Sequence, residues 1–276
     1  LRSVRDFFVE QLASMESTEQ EKLLRTFRPA QVAFVAAGLA EWDAHVHGKR
    51  TAETDRALRL LFQLQLADGS FGNADCWPPF ESSSYQAATV AAMAAATAPG
   101  WTTDVRDEAS RAGFKKLKQY LRTTPPPHDY GSLLLLWTAT RVPDLLDEPR
   151  RASLVADVFR LQNPDGGWSI RSFAAPEAWG KGNRAAKLRE EADLDHPPSD
   201  GHQTGLCVLV LREAGVPADD QRLQASVGWL LANQRESGRW WTRSLNTDNF
   251  HFITYSGTCY ALLALAKCHA IAGPGG

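Results

Sequence analysis

Apolar residues recur along this chain at intervals of three and four, the period of an amphipathic helix, and Pro, Gly, Asp and Asn interrupt the runs. The pattern predicts helices over residues 3–15, 29–46, 51–65, 83–97, 103–122, 130–141, 148–162, 201–215, 219–233 and 254–270. They are of two kinds. One set is apolar around most of its circumference (QVAFVAAGLA, QAATVAAMAAATA, GSLLLLWTAT, QTGLCVLVL, GTCYALLALA), as expected of helices buried on several sides. The other set carries charge on one face (AETDRALRLLFQLQ, RDEASRAGFKKLKQYL, PRRASLVADVFRLQ, DQRLQASVGWLLANQ). This alternation predicts an all-α fold with an inner and an outer ring. The N-terminal segment SVRDFFVEQLASM supplies the outer helix that would close the circle.

Three of the charged helices end alike. A glutamine is followed six residues later by an aromatic, across a turn that contains glycine: Gln65 to Phe71, Gln162 to Trp168 and Gln234 to Trp240. An apolar pair precedes each glutamine in the same register: Leu61/Phe62, Val158/Phe159 and Leu230/Leu231. Three copies in one register define a repeat. A glutamine amide at a helix C-terminus can bond carbonyls that the helix leaves open, and the aromatic can pack over the next hairpin, so the motif is read as a structural staple. Joins from inner to outer helices are short (Val46 to Thr51, Gly215 to Asp219), whereas the returns are long: 66–82, 163–200 and 235–253. Long loops on a rigid scaffold often carry function, which places the expected site at the inner-helix N-termini.

These Gln-to-aromatic repeats resemble the motifs of the squalene-hopene and oxidosqualene cyclases, whose α/α-toroid fold is shared with the beta subunits of protein prenyltransferases. The resemblance implies one α/α toroid of about five to six helical hairpins across residues 1–276, with 163–200 as a long insertion at the cavity mouth and the repeat decayed in 103–122. Polycyclases of this kind use two toroids. A chain holding one, starting at Leu1 and ending in Gly-Pro-Gly-Gly, is expected to be excised from, or paired with, a larger protein.

The inner-helix tips are Ser83–Ala87, His128–Ser132, Asp200–Thr204 and Thr254–Thr258. Squalene-hopene cyclases begin one inner helix with Asp-Xaa-Asp-Asp-Thr-Ala, whose middle aspartate protonates the substrate; the best match is Asp200-Gly201-His202-Gln203-Thr204-Gly205, with His202 in the place of the acid. Prenyltransferases carry Asp-Gly-Cys at a comparable tip and a later His before Thr-Cys-Tyr, both zinc ligands; here stand Asp200-Gly201-His202, and Gly257 before Thr258-Cys259-Tyr260. Neither set is intact. An imidazolium, with a reference pKa of about 6.5, is a weak acid for an alkene, so His202 with Asp200 is better suited to acid/base work on a polar group.

His202 and Asp200 are therefore the catalytic candidates, and Tyr85, His128, Asp129, Tyr130, Tyr255 and Ser256 the candidate substrate-binding residues. No cofactor is assigned. His202, Asp200, His128 and Asp129 have the donor atoms for a divalent metal but no local ligand spacing, and no metal is assigned either. Asp193-Leu194-Asp195-His196 also resembles the cyclase acid motif, but it lies in the long loop before Pro197-Pro198 rather than at a helix start, and is read as a solvated acid pair. Trp42, Trp137 and Trp229 fall at core spacing within helices. In the 163–200 join, Trp168, Phe173 and Trp179 mix with Arg171, Lys181, Arg184, Lys187 and Arg189, which suits either a lid or a solvated face.

Composition narrows the partners. With 30 basic and 32 acidic residues the net charge is -2, and no basic run resembles a nucleic-acid footprint. Cysteines 76, 207, 259 and 268 show no CxxC spacing and are too few for a disulfide framework. No apolar run approaches the ~20 residues that span a bilayer, no signal peptide is visible, and the compartment stays unassigned. Three functions remain open: a cyclase-like domain holding an isoprenoid or other apolar ligand in its central cavity, as a terpenoid cyclase or isomerase if active; a non-catalytic scaffold or binding module of a larger protein, bound to a second domain or partner chain; and a saccharide-acting toroid with His202, Tyr130 and Asp200 as acid/base groups and an acidic saccharide near Arg171 and Arg243. Peripheral contact with a membrane is left open as well.

Overall fold

The computed structural model describes residues 2–24, 28–72, 78–246 and 252–271. Cys76 lies outside them, with parts of the 66–82 and 235–253 joins. The fold is all-α: among the described residues there are thirteen α-helices, no strand, and one isolated bridge between Gln65 and Phe71. In chain order the helices are α1 (Arg2–Glu16), α2 (Gln20–Leu24), α3 (Arg28–Trp42), α4 (Ala52–Gln63), α5 (Ser84–Thr97), α6 (Trp101–Asp104), α7 (Glu108–Thr123), α8 (Asp129–Arg141), α9 (Glu148–Arg160), α10 (Ala185–Arg189), α11 (Gly201–Glu213), α12 (Gln221–Ala232) and α13 (Phe252–Lys267).

Every helix that periodicity predicts is present, and the differences have local causes. The 103–122 helix starts late because Gly100, at φ 68, turns the chain into the short α6; Asp107 then caps α7 by accepting the Ser110 N–H at 2.8 Å. Helix α3 gives way to a π-helical turn, Asp43–His47, that ends at left-handed Gly48. There the buried Asp43 carboxylate accepts the Thr51 N–H at 2.6 Å and the Thr54 hydroxyl at 2.6 Å, so the short join into α4 is fixed from within.

The chain gathers into two compact units, one of residues 1–127 and 141–146, the other of 128–140 and 147–276. In the first, α3 packs on α5, α1 lies across α3, and α4 and α7 pair beside them. A Cβ on Gly38 would sit 2.5 Å from the Phe8 ring, so a larger residue there would displace that ring from the α1–α3 contact. Phe62 stacks on Trp101 at 5.4 Å, and Phe114 meets Trp101 edge-on at 5.7 Å. In the second unit α11 and α13 are the closest pair, with α12 against both. Gly205 permits this approach: a Cβ there would lie 2.5 Å from Ala261 N. Helix α11 is buried continuously from Gly201 to Leu211, as its all-round apolar sequence requires.

The three glutamine turns share one geometry. The amides of Gln65, Gln162 and Gln234 donate to the carbonyls of Gly69, Gly166 and Gly238 at 2.9, 2.9 and 3.0 Å. Those glycines have φ of 92, 90 and 76, a region that side chains with a Cβ avoid. Gln65 also donates to Gly113 O on α7, and Gln162 to Arg222 O and Ser226 Oγ on α12, which ties these two turns to the next charged helix. The aromatics Phe71, Trp168 and Trp240 are buried, and each indole Nε1 donates 2.8 Å back to its own helix, at Val158 O and Leu230 O.

Burial of tryptophan departs from the sequence pattern. Trp42, Trp137 and Trp229 are only half-buried, and Trp137 and Trp229 hold the edge carboxylates of Glu213 and Asp165 through their indole nitrogens. The largest fully buried side chains are instead Trp101, Trp168, Trp179 and Trp240. Two of these lie in the 163–200 join, which carries 3-10 turns at Ile170–Phe173 and Pro176–Ala178 and then α10. Its aromatics form core.

Candidate functional site at the start of helix α11

Loops from two directions converge on the first turn of α11. Asp200 N donates to Trp168 O at 2.9 Å, and Gly201 N to Trp241 O at 3.2 Å. Asp200 is the N-cap: Oδ1 accepts the Gln203 N–H at 2.8 Å and the Thr242 hydroxyl at 3.2 Å, while Oδ2 accepts the Ile170 N–H at 2.7 Å. Burial pushes this carboxyl up to about 6, against those hydrogen bonds, which favour the charged form. Asp200 thus serves as a structural joint, with its oxygens committed to the backbone and to Thr242.

His202 is 0% exposed. Its N–H donates to Thr242 Oγ1 at 2.9 Å, and its Nδ1 lies 2.8 Å from Ser256 Oγ on α13. Ser256 Oγ in turn donates to Ile253 O at 3.0 Å. With the serine proton so placed, Nδ1–H donates to Ser256 and the lone pair of the neutral ring resides on Nε2. Burial pushes the imidazole down to about 3, so it is neutral near pH 7. Tyr260 meets the ring edge-on at 5.2 Å, and Gly257 keeps α13 close, since a Cβ there would lie 3.0 Å from His202 N.

A second cluster forms at the start of α8. His128 Nδ1 accepts the Gly131 N–H at 3.0 Å, which places the imidazole proton on Nε2; burial pushes this group down to about 4. Trp179 lies 5.3 Å from the His128 ring and 5.5 Å from the Tyr130 ring. Burial holds the Tyr130 phenol well above its usual range, and the neighbouring Tyr260, Cys207 and Asp200 raise it further, so the two clusters adjoin. Asp129 instead points toward Arg160, at 3.8 Å, and burial raises its carboxyl.

The remaining candidates are separate. Tyr85 belongs to the first unit, buried, with its hydroxyl donating to Leu121 O at 3.4 Å. Tyr255 is 57% exposed with Arg239 over its ring at 5.4 Å. Asp193, Asp195 and His196 lie in an exposed turn. Arg171 and Arg243 both face Glu191, at 3.5 and 2.7 Å, which offsets one of the two positive charges that an acidic saccharide would meet there. Among the described residues no three His, Cys, Asp or Glu side chains gather as a metal site would require, His202, Asp200, His128 and Asp129 included.

One feature of α13 escaped the sequence. Tyr255, Cys259, Leu262 and Leu263 recur at i, i+4, i+7 and i+8 and are all exposed, Leu262 and Leu263 at 43% each. The opposite side, with Ile253, Ala261, Ala264 and Leu265, packs into the unit. Because α13 is apolar all round, periodicity could not tell which side would be left open. Among the described residues no helix is long and apolar enough to cross a membrane.

No family model matches the chain. Over 123 residues, 44% of its length, it is 29% identical to the squalene--hopene cyclase of Zymomonas mobilis subsp. mobilis, and that stretch covers 18% of the cyclase. The chain is thus distantly similar to a part of a squalene-hopene cyclase, in keeping with the repeats and the all-α fold.

Proposed function

We propose that this chain is a squalene-cyclase-like α/α-toroid domain that holds an apolar ligand of the isoprenoid class against α13, and that it does not itself protonate an alkene. The open apolar stripe Tyr255–Cys259–Leu262–Leu263 is the observation that carries the reading. Covering a leucine side chain fully is worth about 1.5–3 kcal/mol, so a ligand lying along two leucines and a tyrosine gains several kcal/mol before ordering costs.

The state of His202 supports the second half of the reading. With its pKa pushed to about 3, roughly one ring in ten thousand is protonated at pH 7. Asp200, engaged with Ile170, Gln203 and Thr242, is a positioning residue for this tip.

The test is mass spectrometry of lipid retained by the purified protein, with added farnesol as a defined probe. Retention that falls at least tenfold in Leu262→Lys, with unchanged circular dichroism, is expected. Equal retention by the variant, or none by the wild type, would refute the reading and leave the stripe to a neighbouring protein domain.

A further inference from the structure

The first unit contains a groove unrelated to α13. It holds about 750 Å³, within the ~300–1,000 Å³ typical of small-molecule sites. Helix α7 forms one wall. Arg111, Lys115, Lys118 and Arg122 follow one another at i, i+4, i+7 and i+11, so they share a face about 16 Å long at ~1.5 Å per residue.

The opposite wall is the turn after α8. Arg122 fixes it by donating Nε–H to Asp144 O at 3.0 Å, and Arg141 anchors its start through Thr97 Oγ1 at 2.8 Å. Phe114 and Val142 give the groove an apolar strip, and the Lys118 ammonium stands 5.5 Å from the Phe114 ring. Among the described residues Arg111, Lys115 and Lys118 have no ion-pair partner, and Asp144 is the sole acidic residue in the lining. A chain of net charge -2 thus concentrates uncompensated positive charge on one concave face.

We propose that this groove binds a small amphiphile carrying a phosphate or diphosphate group, with the anion on Arg111, Lys115 and Lys118 and the apolar part against Phe114 and Val142. Concavity and an apolar strip beside the cations fit a molecule with a head and a tail; the flat face of a macromolecule would leave that strip uncovered. The cations are exposed or half-buried, so binding weakens as ionic strength rises.

Calorimetric titration with octyl phosphate below its micelle-forming range, at low salt, tests this. One-site binding is expected, tighter than for inorganic diphosphate. Lys115→Glu and Lys118→Glu should each weaken it about tenfold, the loss of one charge-assisted contact, while Lys49→Glu, an exposed reversal outside the groove, should leave it unchanged. Circular dichroism establishes that the variants fold. Absence of octyl phosphate binding, equal weakening by Lys49→Glu, or diphosphate binding as tightly as octyl phosphate would overturn the proposal. So would binding confined to phosphatidylcholine vesicles containing phosphatidic acid.

Discussion

Replacing His202 by glutamine should change how the protein responds to acid. In the folded chain burial pushes the imidazole down to about 3, whereas in the unfolded chain it returns to about 6.5. A base whose folded-state pKa is lowered contributes stability that is full above the unfolded pKa and is lost as pH falls toward the folded one. For His202 the window therefore runs from about 6.5 down to about 3, and the whole loss is on the order of 5 kcal/mol. His128, pushed down to about 4, acts in the same direction. Asp200 opposes both: its carboxyl is raised to about 6, so the folded state takes up a proton before the unfolded state does, and stability is gained as pH falls through that value. Near pH 5 the two histidines and the aspartate leave a net uptake of about one proton on unfolding, or about 1.4 kcal/mol per pH unit. His202→Gln removes about one proton from that balance. Urea midpoints measured from pH 4.5 to 6.5 should give a variant curve flatter than wild type by about 1.4 kcal/mol per pH unit, whatever its absolute stability. Parallel curves would refute the claim that His202 is held neutral, and with it the argument against alkene protonation.

The glutamine turns allow an internal comparison. Gln162 bonds three acceptors with two amide hydrogens, so Gln162→Ala should cost about 2 kcal/mol, whereas exposed Gln234, bonded to Gly238, should cost less than ~1 kcal/mol; urea midpoints decide between them. Gly205→Ala should cost about 3 kcal/mol or more, because its Cβ would meet backbone that cannot rotate away. Gly228→Ala in α12, where nothing lies within 4 Å, should instead stabilise by up to ~1 kcal/mol in thermal melts.

What the sequence made legible follows from the range of the interactions involved. Helices were readable because their period and their breakers are local, and Gln162 could be assigned a stapling role because its nearest acceptor, Gly166 O, is four residues away. The short α2, α6 and α10 lack the length over which a period can be seen. Pairing of His202 with Ser256 was half visible, since both stand at inner-helix tips, but Thr242 and Ile170, which complete the joint at Asp200, lie in loops 42 and 30 residues away with no pattern to mark them. Tryptophans misled for a related reason: Trp168 and Trp179 are buried because irregular backbone folds over them, and a helical wheel has no place for such residues.

The joint at Asp200 also bears on how freely the chain can vary. Trp168 O and Ile170 N are both bonded to Asp200, so the 163–200 excursion leaves and re-enters the unit at almost one point. Its neck is closed independently of what lies beyond. Whereas Trp179, buried against His128 and Tyr130, must stay in place, the exposed 192–196 turn can be lengthened or nicked without α11 losing its cap. A proteolytic cut there should leave two fragments that remain associated. That turn is thus a place where the chain can vary while the tip that carries His202 stays as it is.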